Sequence, residues 1–264
     1  MEILKMKLII NADDFGCTVP VSLGIIEGMR YGLVSSTSAI VPAPDFLYCA
    51  KYALEHGLCH MGLHSMLTMI SPTLPVSQVP SLVDERGMMY DRNTFLKKEV
   101  NIHEAEAELE NQIRIFRETG LRLDHIDTHH GLMQKNAAFT ELFLHLAHKY
   151  HVPLRNEFSR RQGTNTSRIL KEVKNRNIPM TDILYFNQGK PYHTTEDIIL
   201  FLEQAKSRYE AVEIGCHPGH SDDYLRSVSV LNDDREKELD VMLDVRLRNY
   251  IRENRIEVIS YDQL

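Results

Sequence analysis

Short β-rich runs alternate with amphipathic helical stretches along the whole chain, and this alternation restricts the fold more than any other feature. It is typical of an α/β protein, in which helical crossovers connect the strands of a parallel sheet. We predict strands at KLIINA, LVSSTSAIV, LCHMGLH, RLDHIDTH, VPLRNE, DILYFN, AVEIGCH and IEVISY. Eight strand and helix pairs favour an irregular (β/α) barrel over an open doubly wound sheet.

The length of 264 residues fits a single domain over residues 1–264, because barrels of this class have roughly 200–250 residues. The alternation is interrupted at about residues 69–91, a proline-bearing segment without periodicity. We predict a loop insertion or small hairpin there. Loops of that length in compact domains are often lids or binding loops, so we expect a functional role for this one.

Several residues mark the ends of the predicted helices. Thr18, Asp45 and Thr194 stand where the N-cap of a helix is expected, and Gly120 stands just after a helical stretch. These positions predict where four of the crossovers begin or end.

Composition excludes several classes of protein. A formal net charge of −7, with no Lys/Arg-rich run, argues against a nucleic-acid surface. The apolar runs are too short for a signal peptide or a membrane span, so we expect no membrane partner. Four cysteines without a CxxC pair suggest neither a zinc knuckle nor a disulfide framework. We therefore expect a cytoplasmic protein.

Polar residues are concentrated where the predicted strands end. In a barrel or an open α/β sheet, the active site lies at the carboxyl ends of the strands. The candidates at these ends are Asp13, Asp14, His64, His125, Asp127, His129, His130, Arg155, Asn156, Glu157 and His217.

Three of these strand ends suggest a metal site. On an extended strand His125, Asp127 and His129 share one face, which fits either a metal site or a hydrogen-bonded polar cluster. His64 and Asp14 complete a set of two histidines and one carboxylate when combined with His129. Such a set leaves coordination positions open for water and substrate.

Asp13 and Asp14 are adjacent carboxylates in the hexapeptide NADDFG. Like charges this close raise each other's pKa unless a cation or a proton is shared. A cation bound by Asp14 would relieve the repulsion, and Asp13 could accept a proton from the water bound to it. The alternative is that this pair caps the next helix, although Thr18 is better placed to do so.

Two further strand ends carry groups suited to catalysis. His217 precedes a Pro-Gly turn and could act as a general acid or could simply stabilise the turn. Arg155 could pair with Asp13 and keep it ionised, hold a substrate oxygen, or form an ordinary surface salt bridge.

Six motifs in this order resemble the YdjC-like carbohydrate deacetylases, whose best-known members are chitooligosaccharide deacetylases. They extend over nearly the whole chain and are LIINADDFG, LVSSTSAIV, MGLHSMLT, HIDTHHG, EIGCHPG and IEVISYDQL. The resemblance implies an irregular (β/α) barrel that uses a divalent metal to remove acetyl groups from N-acetylated sugars such as diacetylchitobiose.

The resemblance also implies roles for individual residues. Asp14, His64 and His129 would bind the metal, Asp13 would be the general base, and His217 would be the general acid. We expect a metal-activated water molecule to attack the acetamide. We predict substrate contacts for four other residues at the strand ends: Arg155, His125, Asp127 and His130.

The metal is magnesium by resemblance, whereas the ligand set also suits zinc, manganese or iron. The histidine motif departs from that of many relatives, because Gly131 and Met133 occupy positions where these have histidine. We therefore expect an altered wall of the sugar pocket. The partner would be a small N-acetylated sugar, and a homodimer stays open.

Two other classes of function also stay open. Another metallohydrolase on the same barrel, such as an amidase or a phosphoesterase, is one of them. A phosphoesterase would need more Lys/Arg donors than Arg155 alone. A non-catalytic sugar-binding protein is the other, although such proteins typically stack sugars on tryptophan and this chain has none.

Overall fold

The central strand of the sheet, β1 (Lys7–Phe15), is buried on both faces, as parallel strands covered by helices are. The computed structural model describes residues 5–159, 164–186 and 189–264, and all strand pairs within them are parallel. The other strands are β2 (Ser36–Ala39), β3 (His60–Ser65), β4 (Arg122–Thr128), β5 (Ile183–Tyr185), β6 (Ala211–Cys216) and β7 (Glu257–Val258). The order across the sheet is β4-β3-β2-β1-β6-β5, and β7 pairs with the start of β1.

The segment 152–156 connects the two outer strands, β4 and β5. The Ile126 N–H donates to the Pro153 carbonyl and the Arg155 N–H donates to the Ile126 carbonyl, each at 3.0 Å. On the other side, the Leu154 N–H donates to the Pro179 carbonyl, just before β5, also at 3.0 Å. The predicted strand VPLRNE is therefore a single parallel bridge. The irregular (β/α) barrel predicted from the alternation is confirmed.

The other predicted strands agree with the structure in position but differ in length. β1 extends through both aspartates to Phe15, whereas β7 covers only two residues of IEVISY. The last residue of the predicted strand DILYFN, Asn187, lies outside the described residues.

Helices cover the outside of the sheet. Within the described ranges they are α1 (Val19–Tyr31), α2 (Phe46–Glu55), α3 (Arg92–Lys97), α4 (Ile102–Glu118), α5 (Ala137–Tyr150), α6 (Thr164–Asn175), α7 (Thr195–Ala205), α8 (Asp223–Val228), α9 (Asp234–Leu243) and α10 (Val245–Glu253). None of the helices in this part of the chain combines the length and the apolar character that a bilayer span requires.

The predicted helix boundaries are largely confirmed. Thr18 and Thr194 cap α1 and α7 through their side-chain oxygens, and Gly120 follows α4 with a φ of +93°. Asp45 precedes α2 but does not cap it. Its Oδ2 instead accepts a hydrogen bond of 3.2 Å from the Val19 N–H, so this carboxylate joins the starts of α1 and α2.

The segment 69–91 is a packed structure rather than an open loop. It contains two short 3-10 helices, Val76–Gln78 and Pro80–Leu82, and a bridge between Val83 and Met89. The buried carboxylate of Glu108, on α4, accepts hydrogen bonds from residues 73 and 74 at 2.8–3.1 Å. These bonds hold the segment against α4.

The two faces of β1 have different surroundings. Leu8, Ile10 and Ala12 belong to the main hydrophobic core. The residues of the opposite set face the inside of the barrel, where Ile9 packs against Tyr261, and the Asn11 side chain donates to Asp13 Oδ1 at 2.9 Å. The interior of the barrel is therefore strongly polar near the carboxyl ends of its strands.

Candidate active site

A cavity of about 770 Å³ opens at the carboxyl ends of the strands. This is where the active sites of parallel barrels lie. Its wall combines residues from the strand ends, α3, β5 and the turn after β4. These residues are Asp13, His64, Arg92, Leu96, Thr128, His129, His130, Gly131, Gln134, Lys135, Arg155, Glu157, Leu184, Phe186 and His217.

An irregularity at the end of β1 brings both aspartates to this cavity. The pairing of β1 with β2 shifts between Ala12 and Phe15, and Asp14 has a φ of +73°. Alternation along the strand therefore fails here. His64 Nε2 lies 3.4 Å from Asp14 Oδ1 and 4.0 Å from Asp13 Oδ2, so one imidazole faces both carboxylates.

Asp14, His64 and His129 form a compact group of potential metal ligands. His129 Nδ1 lies 3.3 Å from Asp14 Oδ1 and 3.2 Å from His64 Nε2. Ligands at 2.0–2.2 Å from one cation lie about 3 Å apart, which matches this spacing. Asp14 Oδ1 is buried and has no hydrogen-bond partner among the described residues. The three side chains therefore fit a divalent cation.

Two neighbouring side chains orient these potential ligands. Asp127 Oδ1 accepts a hydrogen bond of 2.8 Å from His64 Nδ1, which leaves the Nε2 lone pair facing Asp14. The Arg235 Nη2 donates to Asp14 Oδ2 at 2.6 Å. Arg235 was missed by the sequence analysis, because it lies on α9, far along the chain, and no local pattern connects it with the strand ends.

The charges around these groups shift their pKa values. Burial alone would lower the pKa of His64, but the carboxylates of Asp127 and Asp13 raise it to about 9. Burial alone would raise the pKa of Asp14, but Arg235 and His129 hold it well below its usual range. A cation would compete with a proton for His64 Nε2.

Asp13 forms a bidentate ion pair with Arg155. The Arg155 Nη1 and Nη2 lie 2.8 and 2.7 Å from the two carboxylate oxygens, and Nε lies 2.8 Å from Glu213 Oε1. Burial raises the pKa of Asp13, but the charges of Arg155 and His64 outweigh burial and lower it. The pairing predicted for Arg155 is present, whereas an exposed salt bridge is wrong, because only 1% of this residue is exposed.

The substrate contact predicted for Arg155 stays a prediction, because this residue also lines the cavity. Its guanidinium donates to Asp13 and Glu213 and forms an ion pair of 2.8 Å with Asp127, and all three carboxylates are buried. Arg155 therefore lies behind Asp13 as its counter-charge.

The substrate contacts predicted for His125 and Asp127 do not fit the structure, because both side chains are fully buried and neither lines the cavity. His125 Nδ1 lies 2.6 Å from Asp124 Oδ1, and its ring stacks on Tyr261 with a centroid distance of 3.8 Å. A Cβ at Gly62 would lie 2.2 Å from this ring. The absence of a side chain at Gly62 therefore makes room for the His125 ring.

His130 lines the cavity beside the potential metal ligands, so its predicted contact with the substrate is compatible with its position. Its Nδ1 lies 3.0 Å from Thr68 Oγ1, and its ring packs against His129 with a centroid distance of 3.8 Å. Of the two unusual positions in this motif, Gly131 lines the cavity, whereas Met133 is fully buried in the core.

His217 follows β6 and reaches the cavity opposite His64. Its Nε2 lies 4.0 Å from Asp13 Oδ2, and its side chain is 28% exposed. Its main-chain N–H donates to Glu238, and its ring packs against Phe186 with a centroid distance of 5.8 Å. Burial lowers its pKa, although Asp14 and Asp13 act in the opposite direction. The two carboxylates thus offset part of the effect of burial on this imidazole.

The expectation of a lid over residues 69–91 is not met, because none of these residues lines the cavity. The rim is formed instead by α3, which contributes Arg92 and Leu96, and by Lys135. The Lys135 ammonium donates to the carbonyls of residues 95, 96 and 98 at 2.6–3.1 Å and so ties the end of α3 to the cavity. Neither cation at this rim, Arg92 or Lys135, was predicted from the sequence.

Comparison with known proteins agrees with this architecture. The family model of the YdjC-like proteins matches residues 7–253. A carbohydrate deacetylase of Enterococcus faecalis V583 is 36% identical over 98% of both chains. One from Brevibacillus brevis is 32% identical over 98% of this chain and 100% of its own.

A solved structure from E. faecalis V583, named for cellobiose-phosphate cleavage, is 34% identical to this chain. The two superpose with a TM-score of 0.90 over 98% of each chain. Sequence and structure thus agree over nearly the full length, and the chain belongs to the YdjC-like protein family.

Proposed function

We propose that this chain, as one domain over residues 1–264, is a metal-dependent carbohydrate deacetylase that acts on N-acetylated sugars of the chitooligosaccharide or diacetylchitobiose type. The observation that carries the proposal is the position of Asp13 beside the group of Asp14, His64 and His129. Relatives named carbohydrate deacetylase, which align over nearly the whole chain, support the choice of a sugar.

Asp14, His64 and His129 would hold the cation. When bound, a divalent cation supplies Lewis acidity, which polarises an acetamide carbonyl and lowers the pKa of a water molecule. The ligand set suits zinc, manganese or iron, and the resemblance favours magnesium.

Asp13 is the general base. Because Arg155 keeps it ionised, its carboxylate accepts the proton that the attacking water loses. Arg155 also fixes both oxygens of this carboxylate, so that Asp13 does not turn away toward the cation. The division of roles between the two neighbouring aspartates thus follows from their different partners, Arg155 for Asp13 and Arg235 for Asp14.

His217 is the general acid. It lies at the cavity surface, 4.0 Å from Asp13, where its imidazolium can protonate the departing sugar nitrogen. The products are acetate and the free amino sugar. His130 lies next to His129 in the cavity wall and contacts the substrate.

One assay separates this proposal from the alternatives. The purified protein is stripped with a chelator, reloaded with magnesium, zinc or manganese one at a time, and incubated with N-acetylglucosamine and diacetylchitobiose. We expect acetate release that disappears on stripping and returns with at least one metal. Phosphate release from sugar phosphates without acetate release would favour a phosphoesterase, and sugar binding without either product would favour a non-catalytic protein.

A location in the cytoplasm, a homodimer and the identity of the metal stay predictions. Metal analysis of the purified protein and light scattering address the last two.

A further inference from the structure

Glu157 lies in the wall of the cavity and has no part in the mechanism above. Its Oε1 accepts hydrogen bonds from the Thr128 hydroxyl at 2.6 Å and from the Thr128 N–H at 3.1 Å. Its main-chain carbonyl accepts a bond of 2.6 Å from Gln134. Thr128 therefore holds the carboxyl group in one orientation, and Gln134 holds the main chain of Glu157; both residues also line the cavity.

The second oxygen of this carboxyl group lacks a partner. Glu157 is 5% exposed, and its Oε2 is buried without a hydrogen bond to any described residue. An unpaired buried carboxyl oxygen is costly, since its hydration is lost without replacement. Asp13 is paired with Arg155, and Asp14, His64 and His129 would share a cation, so none of these residues is a partner for Glu157 Oε2.

Gly131 is the neighbour of Oε2 on the cavity side. A Cβ built at Gly131 would lie 3.9 Å from Oε2, and outside residues 130–132 no other atom of the described part of the chain would lie within 4 Å of it. The absence of a side chain at this position leaves space in front of the carboxyl group. Glu157 and Gly131 both line the cavity, so a ligand bound there would approach the carboxyl group from the side of Gly131.

The protonation of Glu157 suits a hydroxyl group as its partner. Burial raises the pKa of Glu157 to about 7, against the hydrogen bond from Thr128 and the charge of Arg155. Near neutral pH the carboxyl group can consequently accept or donate a hydrogen bond. A sugar hydroxyl does both, whereas an ammonium group only donates.

We propose that Glu157 is a specificity-determining residue whose Oε2 hydrogen-bonds a ring hydroxyl of the N-acetylated sugar. This inference rests on the deacetylase function proposed above, and it adds a contact with the sugar that does not involve the reacting acetamide. Gly131, at one of the altered positions of the histidine motif, would leave this contact possible, since a bulkier residue there would block the approach to Oε2.

The test measures the binding of N-acetylglucosamine to the metal-loaded protein by calorimetry, together with kcat and KM for acetate release. The variants are Glu157→Ala, Glu157→Gln and the matched control Glu118→Gln, which removes an exposed carboxylate on α4. We expect Glu157→Ala to weaken binding by about 10- to 100-fold. Glu157→Gln should recover part of this loss, because its amide still bonds a hydroxyl, and the control should bind as the wild type does.

The 3-, 4- and 6-deoxy analogues of N-acetylglucosamine identify the hydroxyl. Wild-type protein should lose affinity for the analogue that lacks the contacted hydroxyl, whereas Glu157→Ala should bind this analogue and the parent sugar equally. The inference is overturned if Glu157→Ala binds the parent sugar as tightly as wild type does. It is also overturned if the removal of each hydroxyl weakens binding to Glu157→Ala by the same factor as it weakens binding to wild type. Thermal unfolding of each variant checks that it is folded.

Failure of this inference is distinguishable from failure of the proposed function. Acetate release by wild type with no effect of Glu157→Ala overturns the contact alone. Sugar binding that depends on Glu157, without acetate release under any metal, overturns the deacetylase and retains the contact. An absence of sugar binding to the wild type overturns both.

Discussion

Arg155 and Asp13 are joined by two parallel hydrogen bonds, of 2.8 and 2.7 Å, inside the barrel and 142 positions apart in the chain. The Arg155 guanidinium also contacts Asp127, which in turn orients His64. The Arg155 guanidinium thus connects the proposed base, Asp13, with Asp127, which orients a proposed metal ligand. This arrangement explains how several carboxylates can be buried so close together.

Removing the Arg155 guanidinium should destabilise the fold. Arg155→Met leaves three buried carboxylates without their counter-charge, and we expect the free energy of unfolding to fall by about 3–5 kcal/mol. Urea unfolding measures the loss. The control is Arg86→Met, which breaks an exposed pair with Asp84 and should leave stability nearly unchanged. Equal stability of the two variants would contradict the role of Arg155.

The two aspartates should fail in different ways when each is changed to asparagine. Asp13→Asn should lower kcat by a factor on the order of 10²–10⁴, since the base is lost, while the metal still binds. Asp14→Asn should lose the metal itself. Metal content after dialysis and acetate release distinguish the two results. Activity retained by Asp13→Asn would refute its assignment as the base.

Arg235 should affect metal affinity although it contacts no metal. Its bond to Asp14 Oδ2 orients the carboxylate, and loss of such support typically weakens a metal site by about 10- to 100-fold. We expect this loss in Arg235→Gln, measured by competition with a chromogenic chelator. Arg226→Gln, which breaks exposed pairs on α8, serves as the control and should leave the affinity unchanged.

Glu157 should make stability depend on pH. Its pKa is about 7 in the folded protein, above its ordinary value of 4.5, so the folded state holds more protons than the unfolded state between these values. This group therefore lowers stability as the pH rises through that window, by about 1.4 kcal/mol per pH unit at most. Glu157→Gln lacks this slope.

The corresponding measurement is urea unfolding of wild type and Glu157→Gln from pH 4 to pH 8. The difference between their unfolding free energies should shift in favour of the glutamine variant as the pH rises, and should level off above about pH 7. A difference that stays constant over this range would show that Glu157 titrates as an exposed carboxylate.

Glu108 should stabilise the segment 69–91 without a direct role in catalysis. It accepts four hydrogen bonds from this segment, and Glu108→Ala leaves those donors unpaired. We expect a loss of about 1–3 kcal/mol or more and faster hydrogen exchange in residues 69–91, with little change in kcat. Glu106→Ala on the same helix is the control. A selective loss of activity would instead indicate that the segment acts as a lid.

Site residues that end a strand were predicted from the sequence, whereas residues that reach the site through distant contacts were not. Asp13, Asp14, His64, His129 and His217 were found from the sequence, because the carboxyl ends of parallel strands converge on one face of the sheet. A residue needs only to end a strand to be a candidate by this rule. Its limits are visible at His125 and Asp127, which precede the strand end and are buried.

Other features depend on contacts that no local pattern contains. Asp14 reaches the same site as its neighbour only because β1 is irregular there, with a φ of +73° at this residue. The segment 69–91 looked like a lid because its prolines and lack of periodicity predict irregular backbone but not what that backbone packs against. Its packing is determined by Glu108 on α4.

The sequence by itself determined the fold class, the family resemblance and most of the residues at the cavity, since these follow from periodicity, chain order and strand ends. Only the tertiary structure decided the partners: Arg155 behind Asp13, Arg235 from α9 on Asp14, and Glu157 with one oxygen unpaired beside Gly131. The physical reason is that burial and charge pairing depend on which elements pack together, and these elements are distant in the chain.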